Sequence, residues 1–327
     1  MPVKVQQLDM AEVVQRLQTL RQPFHNHYLA MYSSWYGGVV SHPALMLVPI
    51  DDHLVHRGDG VFEAFKCVGG KIYALKRHLD RLVRSAAAIA LAPPVNRLEL
   101  EQTILGTIRI AGAHDCLVRV FVSRGPGGFT TNPYECPASQ LYIVVTQLMA
   151  ASEEKYERGV TLITSRVPIK KACFANIKSC NYLPNVLMKK EAEDAGVNYT
   201  VSLDEQGFIG ECSTENIGII TKQNEFLVPR FDAVLRGTTV TRTMELAESL
   251  VAEGLLSRIA EAQITVEQAS EAAELMVFGT TFDVFPVVQY DGRPIGGGKP
   301  GPIFHRFLQL LRDDMRFCDE MLTPVTE

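Results

Sequence analysis

The sequence lacks the features that would place it among nucleic-acid or membrane proteins. No basic cluster is longer than a pair such as Lys170 with Lys171, and the formal net charge is −5. Binding to a phosphate backbone needs a basic face, so we expect no nucleic-acid partner. No apolar run approaches the roughly 18 residues of a spanning helix, and no signal-peptide pattern opens the chain. We therefore expect no membrane partner and a cytoplasmic location.

Paired cysteine motifs are also missing. The seven cysteines are an odd number, are widely spread and contain no CxxC pair. A chain of this length does not need disulfide staples, which indicates reduced thiols. With 327 residues, of which 46% are hydrophobic, the chain can bury a large core, and its length suggests two domains.

Nucleotide and metal motifs are absent or incomplete. Residues 296–299 are Gly-Gly-Gly-Lys, but they lack the upstream glycine of a P-loop and precede Pro300, which favours a turn. No GxGxxG motif follows a predicted strand. Histidines and aspartates occur at residues 25–27 and 51–56, without helical spacing or a second cluster, so we predict no metal site.

Hydrophobic periodicity predicts a mixture of helices and strands. A capping box at Asp9 and Glu12 predicts a first helix that ends near Pro23. Further helices are predicted at residues 78–90, 98–110, 182–195, 240–253 and 302–318. Strands are predicted at residues 45–48, 60–68, 116–122 and 141–146, and strands dominate from about residue 156 to Val228. Polar residues 152–155 mark the predicted domain boundary.

Lys178 and Glu211 are the most informative pair in the sequence. Lys178 lies in Asn-Ile-Lys-Ser-Cys-Asn-Tyr, and Glu211 follows 33 positions later in Gly-Glu-Cys-Ser-Thr-Glu-Asn. An enzyme that uses pyridoxal phosphate needs an amine to bond the cofactor aldehyde and a carboxylate to keep the pyridine nitrogen protonated. Taken alone, the pair favours a solvated lysine and a glutamate at the end of a hairpin, and only the further motifs along the chain favour the cofactor site.

Three further segments could hold the phosphate of such a cofactor. Arg81 lies early in a predicted helix, where a guanidinium could bind phosphate, although a surface arginine paired with Asp80 or Glu63 remains open. The Gly-Thr-Thr run at 237–239 precedes a predicted helix, so its amides, its hydroxyls and the helix dipole could converge on an anion. An ordinary threonine N-cap is the alternative interpretation of this run. A second Gly-Thr-Thr run, at 279–281, closes a predicted strand.

Together these motifs resemble the class IV aminotransferases, the fold type IV pyridoxal phosphate enzymes. Residues 57–63 resemble the amino-terminal signature of the family, and residues 78–82 resemble the segment that supplies its phosphate-binding arginine. Residues 235–242 and 279–287 are similar to its two phosphate-binding turns. The resemblance extends from about residue 33 to residue 316.

The resemblance implies an α+β fold of two domains with the cofactor between them. Residues 1–30 would form an N-terminal helical extension, 31–150 a small α/β domain, and 151–327 a larger pseudo-barrel domain that carries the Schiff-base lysine. It also implies a homodimer whose partner subunit helps to wall the site. The implied cofactor is pyridoxal 5'-phosphate, and the implied residues that bind it are Arg81, Lys178, Tyr182, Glu211, Gly237, Thr238, Thr239 and Thr280.

Substrate residues are harder to assign because the chain mixes markers of several branches. Arg119 lies in an apolar strand, and an arginine at the matching strand position receives a substrate carboxylate in the branched-chain branch; a structural ion pair is the alternative. Phe62 stands where D-amino-acid enzymes carry tyrosine. Residues 123–128 resemble the loop of aminodeoxychorismate lyases and of plant enzymes that combine both activities, and residues 178–185 are also similar to the plant form.

These observations predict an aminotransferase acting on a small-molecule amino acid and a 2-oxo acid. Phe62, Arg119 and Thr281 are the predicted substrate residues, and Phe129 and Phe282 are expected beside them to favour a small, partly hydrophobic side chain. The amino acid would be of the branched-chain or D-amino-acid type. A 4-amino-4-deoxychorismate lyase and a cofactor-binding protein without turnover remain the alternatives.

Overall fold

Two β-sheets with helices packed on them form the chain, in a computed structural model that describes residues 5–326. The helices are α1 (Met10–Thr19), α2 (His53–Arg57), α3 (Leu75–Ala88), α4 (Arg97–Ala111), α5 (Glu153–Arg158), α6 (Ala172–Ala175), α7 (Leu183–Asp194), α8 (Thr238–Ala252), α9 (Val266–Ser270) and α10 (Pro302–Phe317). The strands are β1 (Tyr28–Ser33), β2 (Gly38–Val40), β3 (Gly60–Val68), β4 (Lys71–Tyr73), β5 (Cys116–Ser123), β6 (Gln140–Gln147), β7 (Val160–Thr164), β8 (Tyr199–Leu203), β9 (Ile209–Cys212), β10 (Asn216–Ile220), β11 (Glu225–Pro229), β12 (Arg258–Ala262), β13 (Glu274–Gly279), β14 (Asp283–Tyr290), β15 (Arg293–Pro294) and β16 (Leu322–Pro324).

The first sheet is antiparallel and carries α3 and α4. Its strand order is β16-β4-β3-β5-β6-β1-β2. Helix α3 packs on β3 because Leu75, Leu79, Leu82 and Ala86 recur at helical spacing and are all buried. The same helix also buries Arg81, which points to a partner for that charge inside the fold.

The second sheet mixes parallel and antiparallel strands. Its order is β12-β11-β10-β13-β14-β7-β8-β9, with β15 paired to β14. The pairs β11 with β12, β14 with β7, and β7 with β8 are parallel. One apolar core lies around Val277 and Tyr290, and a second core, with Phe226 and Phe307, joins the sheet to α8 and α10. Strands β9, β13 and β14 and the start of α8 provide the supports for the site described below.

The change from the first sheet to the second falls between β6 and β7. The boundary predicted near residue 150 lies in this interval, and the division into 1–30, 31–150 and 151–327 remains a prediction. Two elements depart from that division. Strand β1 begins at Tyr28 and belongs to the first sheet, and β16, near the end of the chain, also joins the first sheet by pairing with β4.

Most of the predicted elements agree with the structure to within a few residues, but the strand predicted at residues 45–48 is wrong. Residues Pro43–Leu45 form a 3-10 helix, and the next three residues belong to no strand. Pro43 and Pro49 lack a backbone donor and restrict their neighbours, so this apolar run cannot pair in a sheet. Within residues 5–326 no helix is both long and apolar enough to cross a membrane.

Candidate active site

Lys178 lies in the connection between α6 and α7 and is fixed to the first sheet by its backbone. Its amide donates to the Ser85 hydroxyl at 3.1 Å, and its carbonyl accepts from the Phe62 amide at 2.9 Å. A further bond joins the Cys180 amide to the Gly60 carbonyl at 2.8 Å. Lys178 therefore comes after β7, the first strand of the second sheet, in the chain. Its backbone is nevertheless held in place by β3 and α3 of the first sheet.

The Lys178 amine has the electrostatic properties of a nucleophile. Burial lowers its pKa to about 8, and the nearby charge of Arg81 acts in the same direction. Its Nζ lies 4.7 Å from the centre of the Phe62 ring and 6.0 Å from that of Tyr182. A useful fraction of the amine is therefore neutral near neutral pH, which is the form that attacks an aldehyde.

Glu211 on β9 faces the same cavity as Lys178. Burial raises the pKa of its carboxyl group to about 7, although the Leu235 amide, which donates to Oε2 at 3.1 Å, opposes that shift. Among residues 5–326, no hydrogen bond reaches the other carboxylate oxygen. A protonated ring nitrogen would supply the donor and the charge that this buried carboxylate lacks.

Arg81 is buried, so the alternative of a surface arginine is wrong. Its Nε and Nη2 donate to the two oxygens of Glu63 at 2.6 and 2.8 Å, and its Nη1 donates to the Arg236 carbonyl at 3.1 Å. Asp80 instead accepts from Arg97 at 2.9 Å. Of the five N–H groups of the guanidinium, two have no partner among the described residues, and Arg81 lines the cavity that contains Lys178.

Glu63 and His78 complete the support of Arg81. His78 Nδ1 lies 2.7 Å from Glu63 Oε2, and burial lowers the pKa of His78, which favours the neutral ring. Burial alone would raise the pKa of Glu63, but Arg81 and then His78 outweigh it and lower that pKa to about 2. Sequence reasoning considered Glu63 only as a surface partner. Its place in the apolar run 60–68 was the available signal, because a buried charge needs a counter-charge.

The start of α8 lines the same cavity as Arg81 and has the groups that an anion site needs. Its first residues, Thr238 and Thr239, follow Gly237, which has no side chain to cap the helix. A Cβ on Gly237 would come within 1.8 Å of Asn216 Oδ1, so any other residue there would force the Asn216 side chain to move. The free amides and the positive helix end therefore face the cavity. This cavity brings together all eight predicted cofactor residues, Arg81, Lys178, Tyr182, Glu211, Gly237, Thr238, Thr239 and Thr280.

Arg119 lines a second cavity of about 530 Å³ together with Thr281 and Phe121. Its guanidinium donates to the Thr146 hydroxyl at 3.2 Å, and burial lowers its pKa. Within residues 5–326 no carboxylate forms an ion pair with it, so the structural ion pair predicted as the alternative is not present. The Phe62 ring lies between residues that line the two cavities, because its centre is 4.7 Å from Lys178 Nζ and 5.9 Å from the centre of the Phe121 ring.

Tyr182 has a cationic neighbour that the sequence did not indicate. The Lys170 ammonium lies 4.6 Å above its ring, and burial raises the pKa of the Tyr182 hydroxyl, which stays a donor. Burial lowers the pKa of Lys170, while the charge of Glu211 opposes this. No sequence pattern separates Lys170 from an ordinary surface lysine.

Two aromatic residues expected in the substrate pocket lie elsewhere. Phe129 is exposed on its loop and contacts His56, with ring centres 5.1 Å apart. Phe282 is buried in the core of the second sheet, stacked on Phe285 at 4.3 Å.

Among residues 5–326, no group of three or more His, Cys, Asp and Glu side chains is arranged to hold a metal ion.

Comparison with known proteins defines the class to which this fold and site belong. A sequence model of the class IV aminotransferases matches residues 60–290, and the chain belongs to that family. It is 40% identical over 310 residues to the chloroplastic D-amino-acid transaminase of Arabidopsis thaliana, covering 94% of this chain and 82% of the relative. It is 30% identical over 266 residues to a putative branched-chain-amino-acid aminotransferase of Methanocaldococcus jannaschii, covering 81% of this chain and 90% of that protein.

Solved structures confirm the predicted fold. The T.th. branched-chain amino acid aminotransferase with pyridoxamine 5'-phosphate superposes with a TM-score of 0.84 at 26% identity, covering 91% of this chain and 99% of the other. The same enzyme complexed with N-(5'-phosphopyridoxyl)-L-glutamate gives a TM-score of 0.83 with the same identity and coverage. The chain has the two-domain α+β fold of the fold type IV enzymes and is a pyridoxal phosphate-dependent transaminase, as predicted.

Proposed function

We propose that the chain transfers an amino group between an amino acid of the branched-chain or D-amino-acid type and a 2-oxo acid, using the residues assembled above. The observation that carries the proposal is that the Lys178 amine and the Glu211 carboxylate line one cavity, beside a second cavity in which no carboxylate of residues 5–326 pairs with Arg119. The chloroplastic D-amino-acid transaminase of Arabidopsis thaliana is consistent with this substrate class.

The residues of the first cavity fit pyridoxal 5'-phosphate. When bound, this group supplies an aldehyde that bonds amines and a protonated pyridine ring that withdraws electrons from the α-carbon. Lys178 would hold the aldehyde carbon, Glu211 would bind the ring nitrogen, and Tyr182 would donate to the phenolate oxygen. The free N–H groups of Arg81, the amides and hydroxyls of Thr238 and Thr239, and the Thr280 hydroxyl would bind the phosphate.

Lys178, which lines the first cavity, would move the proton of the reaction. The neutral Lys178 amine would act as the base that takes the proton from the α-carbon of the amino acid, and its protonated form would return that proton. A pKa near 8 suits both steps, because the amine can accept and return a proton near neutral pH. Arg119 and Thr281 would hold the substrate carboxylate, and Phe62 would limit the space for the side chain.

A trapping experiment tests the assignment of the cofactor site. The purified protein with pyridoxal phosphate should be yellow, and borohydride reduction should attach the cofactor to the peptide that contains Lys178. The Lys178→Ala variant, treated in the same way, should give no labelled peptide. A colourless protein that takes up no pyridoxal phosphate would refute the proposal.

A panel of L- and D-amino acids tests the reaction and its substrate. We expect at least one aliphatic amino acid to convert the cofactor to its pyridoxamine form, and a 2-oxo acid to reverse that change. A cofactor-binding protein without turnover would show no spectral change with any member of the panel. The panel also determines the chirality of the donor.

The lyase alternative rested on the resemblance of residues 123–128 to a lyase loop. In this loop Arg124 forms two bonds of 3.0 Å to Asp59 and also donates to the Ile89 and Ala90 carbonyls, so it is committed to structure. We expect little or no aminobenzoate release from aminodeoxychorismate. Rapid release, with no amino acid able to convert the cofactor, would reverse the order of the two functions.

A homodimer and a cytoplasmic location complete the proposal. The part of the chain before β3 leaves large apolar side chains exposed, among them Trp35 and Ile50, which a second copy would cover. Light scattering should give twice the mass of the 36.2 kDa chain. A monomer at micromolar concentration would rule out the dimer, and fractionation of the source cell tests the location.

A further inference from the structure

One turn supplies residues to both cavities of the site. It joins β13 to β14, and it places Thr280 in the cavity with Lys178 and Thr281 in the cavity with Arg119. A displacement of this turn would therefore change the phosphate contact and the substrate contact together. The contacts that hold this turn in place therefore affect both the phosphate contact and the substrate contact.

Part of the support comes from helix α5 and from strand β14 of the second sheet, on which α5 packs. The Tyr156 hydroxyl donates to the Phe282 carbonyl at 2.8 Å, and the Phe282 ring stacks on Phe285. Asp283, which ends the turn, has φ of +70°, a left-handed conformation that residues other than glycine rarely adopt. Such a conformation persists only where the surroundings hold it in place.

The remaining support crosses from the first sheet. Lys66 Nζ lies 2.5 Å from Asp283 Oδ1, and each residue is only 8% exposed. Among the described residues Asp283 is the one hydrogen-bond and ion-pair partner of the Lys66 ammonium. Lys66 belongs to β3, which also carries Phe62 and the Glu63 that holds Arg81. The ion pair thus joins the Thr280 turn to the strand that organises the rest of the site.

We propose that Lys66 and Asp283 are positioning residues, which hold the Thr280 and Thr281 hydroxyls at the correct distance from β3 for the cofactor phosphate and the substrate carboxylate. This inference rests on the proposed function, because it assumes that the first cavity binds pyridoxal phosphate. An ion pair that only joined the domains would contribute to folding without any preference for phosphate or carboxylate.

The test compares Lys66→Met, Asp283→Asn and the double variant. Asparagine tolerates the left-handed conformation, and the double variant leaves no buried charge without a partner, so its folding should recover relative to either single variant. The full-length chain, stripped of cofactor, is titrated with pyridoxal phosphate and with pyridoxal, which lacks the phosphate. The Michaelis constants for amino acid and 2-oxo acid are measured on the reloaded protein.

We expect the affinity for pyridoxal phosphate to fall roughly tenfold in the double variant, which corresponds to the loss of about one charge-assisted contact. The affinity for pyridoxal should change little. Michaelis constants should rise more than the turnover number falls. Lys66→Arg should keep more of the phosphate preference than Lys66→Met. Lys222→Met, which breaks an exposed pair with Glu271, serves as the matched control and should behave as the wild type.

Two results would overturn the inference while leaving the proposed function intact. In the first, a folded double variant has wild-type affinities and Michaelis constants. In the second, its affinities for pyridoxal phosphate and pyridoxal fall by the same factor. A wild-type protein that binds no pyridoxal phosphate would overturn the proposed function, and this inference with it.

Discussion

Arg81 and Arg119 both lie inside the fold, but their surroundings differ in a way that separates their roles. Arg81 has both oxygens of Glu63 and the Arg236 carbonyl as partners, whereas Arg119 has only the Thr146 hydroxyl among the described residues. A guanidinium whose charge is already balanced is held in place for a ligand. A guanidinium without a carboxylate partner, in a cavity of about 530 Å³, can form an ion pair with an anionic ligand.

The difference also separates folding from binding. The Glu63 and Arg81 pair is almost completely buried, so removing either member leaves an uncompensated charge in the protein interior. Removing Arg119 leaves no unpaired carboxylate, because no carboxylate among the described residues forms an ion pair with it. The first arginine should therefore matter to stability and to cofactor binding, and the second to substrate binding alone.

The largest expected effect comes from breaking the buried pair. Glu63→Gln should lower the free energy of unfolding by about 3–5 kcal/mol, because Arg81 keeps its charge without the carboxylate. Urea unfolding monitored by circular dichroism measures the change. Glu253→Gln, which breaks an exposed pair with Arg306, is the control and should cost about 0–1 kcal/mol. Equal free energies of unfolding for both variants would show that the buried pair contributes no more to stability than the exposed pair.

Removing the guanidinium of Arg81 should have the next largest effect on binding. Arg81→Ala deletes charge-assisted hydrogen bonds worth roughly 1.5–3 kcal/mol, so cofactor affinity should fall by about one to two orders of magnitude. Titration is done at a temperature at which both proteins remain folded, since Glu63 also loses its partner. Arg97→Ala, which removes the partner of Asp80 on the outer side of the same helix, should leave the affinity unchanged. Unchanged affinity in Arg81→Ala would remove it from the phosphate site.

Arg119→Leu should give the reverse pattern. The Michaelis constant for the amino donor or the 2-oxo acid should rise about tenfold, the lower end of the range for a charged hydrogen bond, while cofactor affinity stays the same. The free energy of unfolding should change by less than about 1 kcal/mol, because no ion pair is broken. Arg158→Leu, at an exposed position, is the control. A variant that unfolds would show that Arg119 supports the structure.

The pH dependence of cofactor capture should show the smallest effect. Only the neutral Lys178 amine reacts, and its pKa is lowered from 10.5 to about 8, so the capture rate should rise through pH 8 and level off above it. Arg81 contributes to that lowering, so the Arg81→Ala profile should move to higher pH. The Arg119→Leu profile should not move. A midpoint near 10.5 in the wild-type protein would contradict the burial of the amine.

The parts of the site that are each marked by a short local motif could be predicted from the sequence. Lys178, Glu211 and the two Gly-Thr-Thr runs each carry a local motif, and in the structure all of them line one or the other of the two cavities. The main helices were predictable for a similar reason, since periodic apolar residues recur within a few turns. The strand predicted at residues 45–48 is wrong because Pro43 and Pro49, on either side of this apolar run, disfavour pairing in a sheet.

Contacts between distant segments could not be predicted. The sequence indicates a loop at Phe129 but not that this side chain is exposed, and it does not indicate that Phe282 is buried in a core. The ion pair between Lys66 and Asp283 joins residues 217 positions apart, and the Lys170 contact with Tyr182 depends on how one loop folds over another. Each depends on packing that no local pattern encodes.

By itself the sequence determined the chemical groups of this protein and their order along the chain, because nucleophile, carboxylate and anion-binding turns are properties of residues and short motifs. Only the tertiary structure decided which charges are balanced and which are free. Glu63 neutralises Arg81 because β3 and α3 pack face to face, and Arg119 stays unpaired because none of the described elements brings a carboxylate to its side of β5. Burial then sets the pKa of each group, since the cost of a charge depends on the solvent that the fold removes.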